Sequence, residues 1–227
     1  LVMSLNDNFN LNRAVRYAAT VLQEGIQPVA VLTKADLCNN VESLKMQFKQ
    51  MLPQIKVYAV SALTGDGMDK LQVYLQPGNA IALLGSSGVG KSTLVNALAG
   101  IEIMKTGEIR EKDAKGRHTT TYREMIELPS GVIVIDTPGM REIGLCDVDE
   151  GIDDTFEDIA ELAAQCRFRD CTHTNEPRCA VRQALENGQL SKERFELYRS
   201  LHVESRKSAD MKAIAKARKE INRARKR

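Results

Sequence analysis

The residues with the clearest chemical potential form a glycine-rich run that ends in lysine and two hydroxyl residues. The run is Gly-Ser-Ser-Gly-Val-Gly-Lys-Ser-Thr at positions 85–93, between the apolar segment Ala80–Leu84 and a helical pattern over 91–99. In this context its backbone N–H groups and the positive end of the following helix bind phosphate. The predicted phosphate-binding residues are Gly85, Ser86, Ser87, Gly88, Val89, Gly90, Lys91, Ser92 and Thr93. A chance glycine-rich turn is the alternative.

A second motif predicts which base the site accepts. Thr-Lys-Ala-Asp follows the apolar run Pro28–Leu32, and Ser-Ala-Leu follows the next such run. Asp36 can accept two hydrogen bonds from guanine, whereas adenine offers no such pair and would leave the carboxylate unpaired. We expect Lys34 to lie over the base and backbone N–H groups to meet guanine O6. The predicted guanine-binding residues are Thr33, Lys34, Ala35, Asp36, Ser61 and Ala62. Alone, the four-residue match also fits an ordinary strand-to-helix turn.

Two further segments predict the metal and γ-phosphate side of the site. Asp136-Thr-Pro-Gly139 ends an apolar run, so Asp136 is predicted to hold Mg²⁺ through water and Gly139 to donate its N–H to the γ-phosphate. Ser92 is predicted to ligate the same Mg²⁺. Residues 116–121 read Gly-Arg-His-Thr-Thr-Thr, and Thr120 is our first choice to close over the metal. Its neighbours at 119 and 121 remain alternatives.

Three cysteines and a histidine crowd together near the C-terminal end. Cys166, Cys171, His173 and Cys179 follow the spacing C-x4-C-x-H-x5-C within fourteen residues. Three thiolates and one imidazole fill a tetrahedral shell, which predicts one structural Zn²⁺ with no open position for catalysis. The alternative is cysteines that merely pack.

The elements that position these motifs alternate between apolar strands and helical patterns. Six apolar runs are visible: Leu1–Ser4, Pro28–Leu32, Lys56–Val60, Ala80–Leu84, Arg123–Leu128 and Val132–Asp136. Helical patterns cover 10–24, 40–51, 67–75, 91–99, 152–165, 180–187 and 191–225. The last two strands form a hairpin, so the predicted sheet is mixed.

The order of the motifs is unusual, because the guanine residues precede the phosphate-binding run. An ordinary GTPase has the opposite order. We therefore predict an α/β fold, a circularly permuted Ras-like P-loop GTPase with a mixed six-stranded sheet, followed by a small, mostly helical zinc-binding domain. The predicted boundaries are 1–150 and 151–227.

Charge is unevenly distributed along the chain. From Ser205 to Arg227 ten basic residues face two acidic ones, a local charge of +8 in a chain whose net charge is +2. This asymmetry predicts a polyanionic partner such as RNA, and a solvated charged helix is the alternative. Neither a membrane span nor a signal peptide is apparent, so we expect a cytoplasmic protein. The start at Leu1, inside an apolar run, indicates a fragment of a longer protein.

Together the motifs resemble the ribosome small-subunit-dependent GTPase A family. This resemblance implies a GTP hydrolase that uses GTP/GDP, Mg²⁺ and Zn²⁺ and acts as a switch in late maturation of the 30S ribosomal subunit. It implies binding to the subunit and its 16S rRNA, which stimulates hydrolysis, and a monomer without membrane attachment. The family normally carries an N-terminal OB-fold domain that this sequence lacks.

The resemblance also indicates the catalytic residues, which are His118, Lys91 and Thr120. Met140 stands where many GTPases place a water-orienting glutamine, so we expect slow hydrolysis by the chain alone. His118 is then the candidate to orient water, although a histidine that packs or contacts RNA fits equally. Two rival functions remain, an RNA-binding zinc module with a vestigial nucleotide site and a P-loop ATPase that acts on small molecules.

Overall fold

The structure, a computed structural model, describes residues 1–6, 8–104, 124–136 and 148–224, with the backbone alone at 124, 136 and 216–224. Within these ranges the strands are β1 Val2–Ser4, β2 Val29–Thr33, β3 Lys56–Ala59, β4 Ala80–Leu83, β5 Glu124–Glu127 and β6 Ile133–Asp136. The α-helices are α1 Leu11–Gln23, α2 Val41–Met51, α3 Lys91–Ala99, α4 Asp149–Thr155, α5 Glu157–Ala164, α6 Ala180–Glu186 and α7 Lys192–Ala224. Two 3₁₀ helices cover Ala35–Leu37 and Met68–Tyr74.

The residues group into two compact units. The first contains Leu1–Ala14 and Val29–Glu142, and the second contains Val15–Pro28 and Ile143–Arg227. Helix α1 therefore contributes residues to both units, and this division of the chain differs from a single boundary at residue 150. The two domains 1–150 and 151–227 stay a prediction.

The first unit contains all six described strands in two three-stranded ladders. Their orders are β1-β2-β3 and β4-β6-β5, and only β5 runs antiparallel to its neighbour. The Val2 N–H donates to the Leu84 carbonyl oxygen at 2.6 Å, a bond that joins β1 to the end of β4. The two ladders are thus neighbours through this bond, and the second ladder is mixed, as the predicted hairpin of the last two strands required.

The core of this unit follows from the strand sequences. Strands β1 and β2 are nearly continuous apolar runs, as expected for parallel strands covered on both faces. Buried residues from strands, helix α3 and loops form one apolar cluster that includes Val2, Val31, Leu94 and Val134. This packing holds the carboxyl ends of β2 and β4 in place, and the predicted nucleotide motifs begin there.

Two predicted helices take a different form. The pattern at 67–75 is a 3₁₀ helix that starts after Gly67, whose φ is 72°; a Cβ there would lie 2.4 Å from the Ala59 carbonyl oxygen. The pattern at 152–165 is broken between α4 and α5 at Phe156, whose φ and ψ are −122° and 44°. Phe156 is fully buried, and its ring contacts Tyr198 at 5.6 Å between centroids.

The second unit is helical in its described part. Arg194 on α7 is almost buried; its guanidinium donates to both carboxylate oxygens of Asp158, at 2.7 and 3.0 Å, and lies 4.6 Å from the ring centroid of Phe156. Gly151 permits close packing of α4 on α1, because a Cβ there would lie 2.0 Å from the Ala19 carbonyl oxygen. No described helix is long and apolar enough to cross a membrane.

Candidate nucleotide site and metal centre

The predicted phosphate-binding run, residues 85–93 and hereafter the phosphate loop, connects β4 to α3. Gly85 is required by packing, since a Cβ there would lie 2.4 Å from the Val2 carbonyl oxygen. Gly90, immediately before α3, has a φ of 91°, a conformation that side chains with a Cβ rarely adopt. The structure therefore contains the strand, the tight loop and the helix that the sequence predicted for this run.

Lys91 lies inside the loop that it follows. Its side chain is 4% exposed, and Nζ donates to the carbonyl oxygens of Gly85 at 2.7 Å and Ser86 at 3.0 Å. These bonds hold the ammonium group at the centre of the loop. Ser92, the predicted magnesium ligand, is half-buried at the first turn of α3.

The guanine motif, residues 33–36, contacts the phosphate loop directly. The buried Thr33 hydroxyl donates to the Val89 carbonyl oxygen at 2.5 Å. Lys34 adopts a left-handed conformation with φ of 59°, and its Nζ donates to the Gly88 carbonyl oxygen at 2.9 Å. The two predicted motifs, more than fifty residues apart in sequence, thus form one site. The Asp36 carboxylate is exposed and accessible to a ligand.

The third segment of this site is the turn after β3. Ser61 is fully buried, and its N–H already donates to the Asp66 carbonyl oxygen at 2.9 Å. Its hydroxyl accepts from the Thr64 N–H at 3.2 Å, which closes the turn. The described part of the chain gives no partner for the Ala62 N–H, which is left to meet a ligand.

The metal and γ-phosphate side is described only in part. The register of β4 and β6 places Asp136 beside Leu83, so the backbone of this predicted magnesium ligand lies next to the strand that leads into the phosphate loop. His118, Thr120 and Gly139 lie outside the described residues, as does Met140. Their roles stay predictions.

Two residues that sequence reasoning missed contact the phosphate loop. Arg13 on α1 and Asn8 in the loop before it both donate to the Ser86 hydroxyl, at 3.1 and 3.0 Å. They lie 73 and 78 residues from Ser86, so no local spacing could have indicated them.

The predicted metal ligands come together in the second unit as a Cys/His cluster, namely Cys166, Cys171, His173 and Cys179. Their ligand atoms all lie within 4.8 Å of one another. The Sγ atoms of Cys166 and Cys179 are 3.8 Å apart, and His173 Nδ1 is 3.6 and 3.4 Å from them. Tetrahedral zinc, with bonds of about 2.3 Å to sulfur and 2.0–2.1 Å to nitrogen, separates such atoms by about 3.8 and 3.6 Å. The cluster therefore fits a zinc ion.

The pKa shifts of the cluster residues also agree with a bound cation. Desolvation lowers the pKa of His173, against the nearby Glu176 charge, and keeps its imidazole in the neutral form that binds metals. Desolvation raises the pKa of the Cys171 thiol to about 11. Desolvation also opposes ionisation of Cys166, but backbone hydrogen bonds from Val181 and Ala180 hold its pKa below the ordinary value. Three thiolates in one place thus need a compensating positive charge.

Glu176 organises the loop between the ligands and was also missed. Its carboxylate accepts from the Thr172 hydroxyl at 2.5 Å and from three backbone N–H groups, those of Thr172, Thr174 and Asn175. These hydrogen bonds, first that of the Thr172 side chain, lower the pKa of Glu176 to about 2. The loop that carries His173 is therefore fixed by its own hydrogen bonds.

Comparisons with known proteins agree on one family. The family model described as "RsgA GTPase" matches residues 1–146. The "Small ribosomal subunit biogenesis GTPase RsgA 2" of Vibrio parahaemolyticus is 50% identical over 201 residues, which are 88% of this chain and 56% of that relative. The "Small ribosomal subunit biogenesis GTPase RsgA 1" of Listeria innocua is 46% identical over 223 residues, 98% of this chain and 64% of that relative. The chain thus spans somewhat more than half the length of these relatives.

Solved structures agree with this result. YjeQ from Thermotoga maritima superposes with a TM-score of 0.65 at 27% identity, covering 88% of this chain and 68% of that one. YloQ, described as a circularly permuted GTPase, has a TM-score of 0.63 at 30% identity and covers 91% of this chain and 67% of its own. The predicted permutation is confirmed, since the predicted guanine motif follows β2 and so precedes the phosphate loop, which follows β4.

Proposed function

This chain belongs to the RsgA GTPase family, and we propose that it binds and hydrolyses GTP as a switch in late maturation of the small ribosomal subunit. One observation carries the proposal: the guanine motif and the phosphate loop form a single hydrogen-bonded site through Thr33 and Lys34. A site that had lost nucleotide binding is not expected to retain both the buried Lys91 and the exposed carboxylate of Asp36.

Base recognition rests on Asp36 and the turn after β3. The exposed carboxylate accepts from guanine N1–H and the exocyclic amine, and the base removes it from water on binding. The Ala62 N–H is the donor for guanine O6, because the Ser61 N–H is occupied by Asp66. The ATPase alternative is disfavoured because adenine leaves both groups unpaired.

The phosphates lie on the loop and the first turn of α3. Backbone N–H groups of residues 85–93 and the helix N-terminus stabilise their negative charge, and Lys91 exchanges carbonyl partners for phosphate oxygens. Mg²⁺, when bound, neutralises charge on the phosphates, and Ser92, Thr120 and Asp136 would hold it. Gly139 donates its N–H to the γ-phosphate, and His118 orients the attacking water in place of the glutamine that Met140 replaces.

The Cys/His cluster holds one zinc ion in a structural role. All four positions of a tetrahedral shell are filled by the protein, so the metal offers no site for substrate. Its contribution is to fold the segment that links α5 to α6, because the energy of metal binding there is energy of folding.

The partner is the 30S subunit with its 16S rRNA. The names of the relatives support a role in small-subunit biogenesis, and the +8 charge of residues 205–227 supports contact with RNA phosphates. We propose a cytoplasmic monomer in which the γ-phosphate reorders residues 116–121 and 137–150 and so changes how the zinc-binding domain meets the subunit. Reciprocally, subunit binding favours the hydrolytic arrangement.

The proposal is tested by nucleotide titration followed by turnover. We expect binding of GTP and GDP but not ATP, with slow hydrolysis that purified 30S subunits accelerate. Binding of neither nucleotide would favour the RNA-binding zinc module, and preference for ATP would favour the ATPase alternative. GTP binding without stimulation by saturating 30S subunits would contradict the proposed role as a switch on the ribosome and would indicate a GTPase with another role.

A further inference from the structure

Within the first unit, a hydrogen-bonded network joins the first turn of helix α1 to the phosphate loop. Arg13 Nη1 donates to Asn8 Oδ1 at 2.7 Å and to the Ser86 hydroxyl at 3.1 Å, and Asn8 Nδ2 donates to the same hydroxyl at 3.0 Å. Ser86 is only 6% exposed, while Arg13 and Asn8 are half-buried. The three side chains thus form a closed triangle of hydrogen bonds.

The triangle leaves the Ser86 side chain little freedom. A hydroxyl oxygen has two lone pairs, and here each accepts a hydrogen, one from the amide and one from the guanidinium. The two hydrogens on Arg13 Nη1 serve its two acceptors in the plane of the guanidinium, a geometry that a single rotating donor does not provide. The position of the Ser86 residue is therefore fixed from outside the loop.

The same residue supplies part of the cradle for Lys91. The Ser86 carbonyl oxygen accepts from Lys91 Nζ at 3.0 Å, beside that of Gly85 at 2.7 Å. A loop that binds phosphate through backbone N–H groups gains affinity when those groups are already in place before the ligand arrives. Holding Ser86 thus holds both the first turn of the loop and the lysine at its centre.

The donor side of the network is itself held in place. The Arg13 N–H donates to Asn10 Oδ1 at 2.9 Å, which caps the start of α1. The Asn8 N–H donates to Asn6 Oδ1 at 3.1 Å, and the Ser4 hydroxyl donates to the same oxygen at 2.6 Å. The side chains of Asn6 and Asn10 thus hold the backbone at Asn8 and Arg13, the two residues that contact the loop.

We propose that Arg13 is a positioning residue of the nucleotide site, which acts on GTP binding by fixing Ser86 and through it the phosphate loop. This inference rests on the proposed function, since it needs a nucleotide that binds the loop. Arg13 does not contact the reacting atoms in this role, so it acts through Ser86 or not at all.

A double-mutant cycle tests this dependence. Arg13→Met keeps the apolar stem and removes every donor, and Ser86→Ala removes the acceptor. We expect each single variant to weaken binding of a fluorescent GTP analogue roughly threefold to tenfold. In the double variant the loss should equal that of Ser86→Ala alone, because Arg13 has no further route to the loop. Arg13→Lys, which keeps charge and donors, should recover part of the affinity.

Arg16→Met is the matched control. Arg16 lies on the same helix, but its Nη2 forms an ion pair with Glu204 Oε2 at 2.6 Å within the second unit. The control variant should leave nucleotide affinity unchanged, and thermal unfolding of every variant verifies that it folds. Additive losses in the double variant, or unchanged affinity in Arg13→Met, would overturn the inference while the proposed function stands. If Arg13→Met does not fold, Arg13→Ala, which also removes every donor, takes its place in the same cycle and decides the question. Absence of GTP binding by the unaltered chain would overturn both.

Discussion

The nucleotide site and the Cys/His cluster are built in opposite ways. The candidate nucleotide site joins segments more than fifty residues apart, and its geometry depends on two strand ladders, one with the ends of β2 and β3 and one with the end of β4. The cluster takes four ligands from fourteen consecutive residues, and its loop is ordered by Glu176. Permutation of the chain leaves the first arrangement intact because packing between distant segments defines it, whereas local spacing defines the second.

The largest effect should follow from removing one metal ligand. Cys171→Ala leaves three ligands and should lose zinc, which costs the second unit several kcal/mol because metal binding energy is folding energy there. Elemental analysis and thermal unfolding measure both. Cys38→Ala is the control, since this thiol lies outside the cluster. Nucleotide binding should survive in Cys171→Ala if the two sites are as independent as their construction indicates. A full zinc complement or unchanged melting would contradict the structural-metal interpretation.

A kinetic effect should follow from changing the proposed water-orienting residue. His118→Ala should keep GTP affinity nearly unchanged and lower turnover with 30S subunits at least about tenfold, a loss of about 1.4 kcal/mol of transition-state stabilisation. Turnover must be compared at saturating subunits for both proteins. Equal rates would show that the ribosome or the protein backbone, and not His118, orients the attacking water.

A smaller, pH-dependent effect should distinguish the second unit from the first. His202 on α7 contacts Asp149 at 2.9 Å and Asp153 at 3.0 Å through its two ring nitrogens. Desolvation lowers the pKa of His202, but hydrogen bonds to Asp153 and Asp149 raise it overall; Tyr198 and Arg206 also border Asp153. The stabilisation is therefore complete below about pH 6.5, the unfolded value, and is lost as pH rises through the folded pKa.

We expect this loss to stay below about 1 kcal/mol, because both carboxylates are about half exposed. Denaturant unfolding of the second unit at pH 6 and pH 8.5 measures it. His202→Gln keeps a hydrogen bond without the charge and should flatten the dependence. An equal pH dependence in the variant would show that another group titrates.

The smallest effect should be a gain in stability within the metal loop. Arg178, exposed and directly before Cys179, has a φ of 58°, a left-handed conformation that is strained for a residue with a Cβ. Arg178→Gly should therefore stabilise the zinc-bound unit by about 0.5 kcal/mol after the entropy cost of glycine. Arg169→Gly removes the same charge from the same loop at an ordinary φ and should not stabilise. Similar changes in melting temperature for both variants would refute the role of strain.

Sequence patterns predicted the features that depend on local spacing, and they missed the features that depend on contacts between residues distant in sequence. The six strands, the phosphate loop and the spacing of the metal ligands follow from apolar runs and motifs, and the structure contains them. The break at Phe156 was missed because its ring packs on Tyr198, a partner more than forty residues away. Asn8 and Arg13 were missed for the same reason, since only the folded sheet brings them to Ser86.

The central claim, a guanine-specific site joined to the phosphate loop, is tested most directly by changing Asp36 to asparagine. The amide of Asp36→Asn offers a donor to guanine's own donors and should weaken GTP binding by about 1–3 kcal/mol, roughly 5- to 150-fold. Xanthosine triphosphate carries an acceptor at the same base position, so the variant should bind it more tightly than the unaltered chain does. Calorimetric titration of both nucleotides into both proteins measures the exchange. GTP bound equally by the two proteins, with no gain for xanthosine triphosphate, would contradict the account.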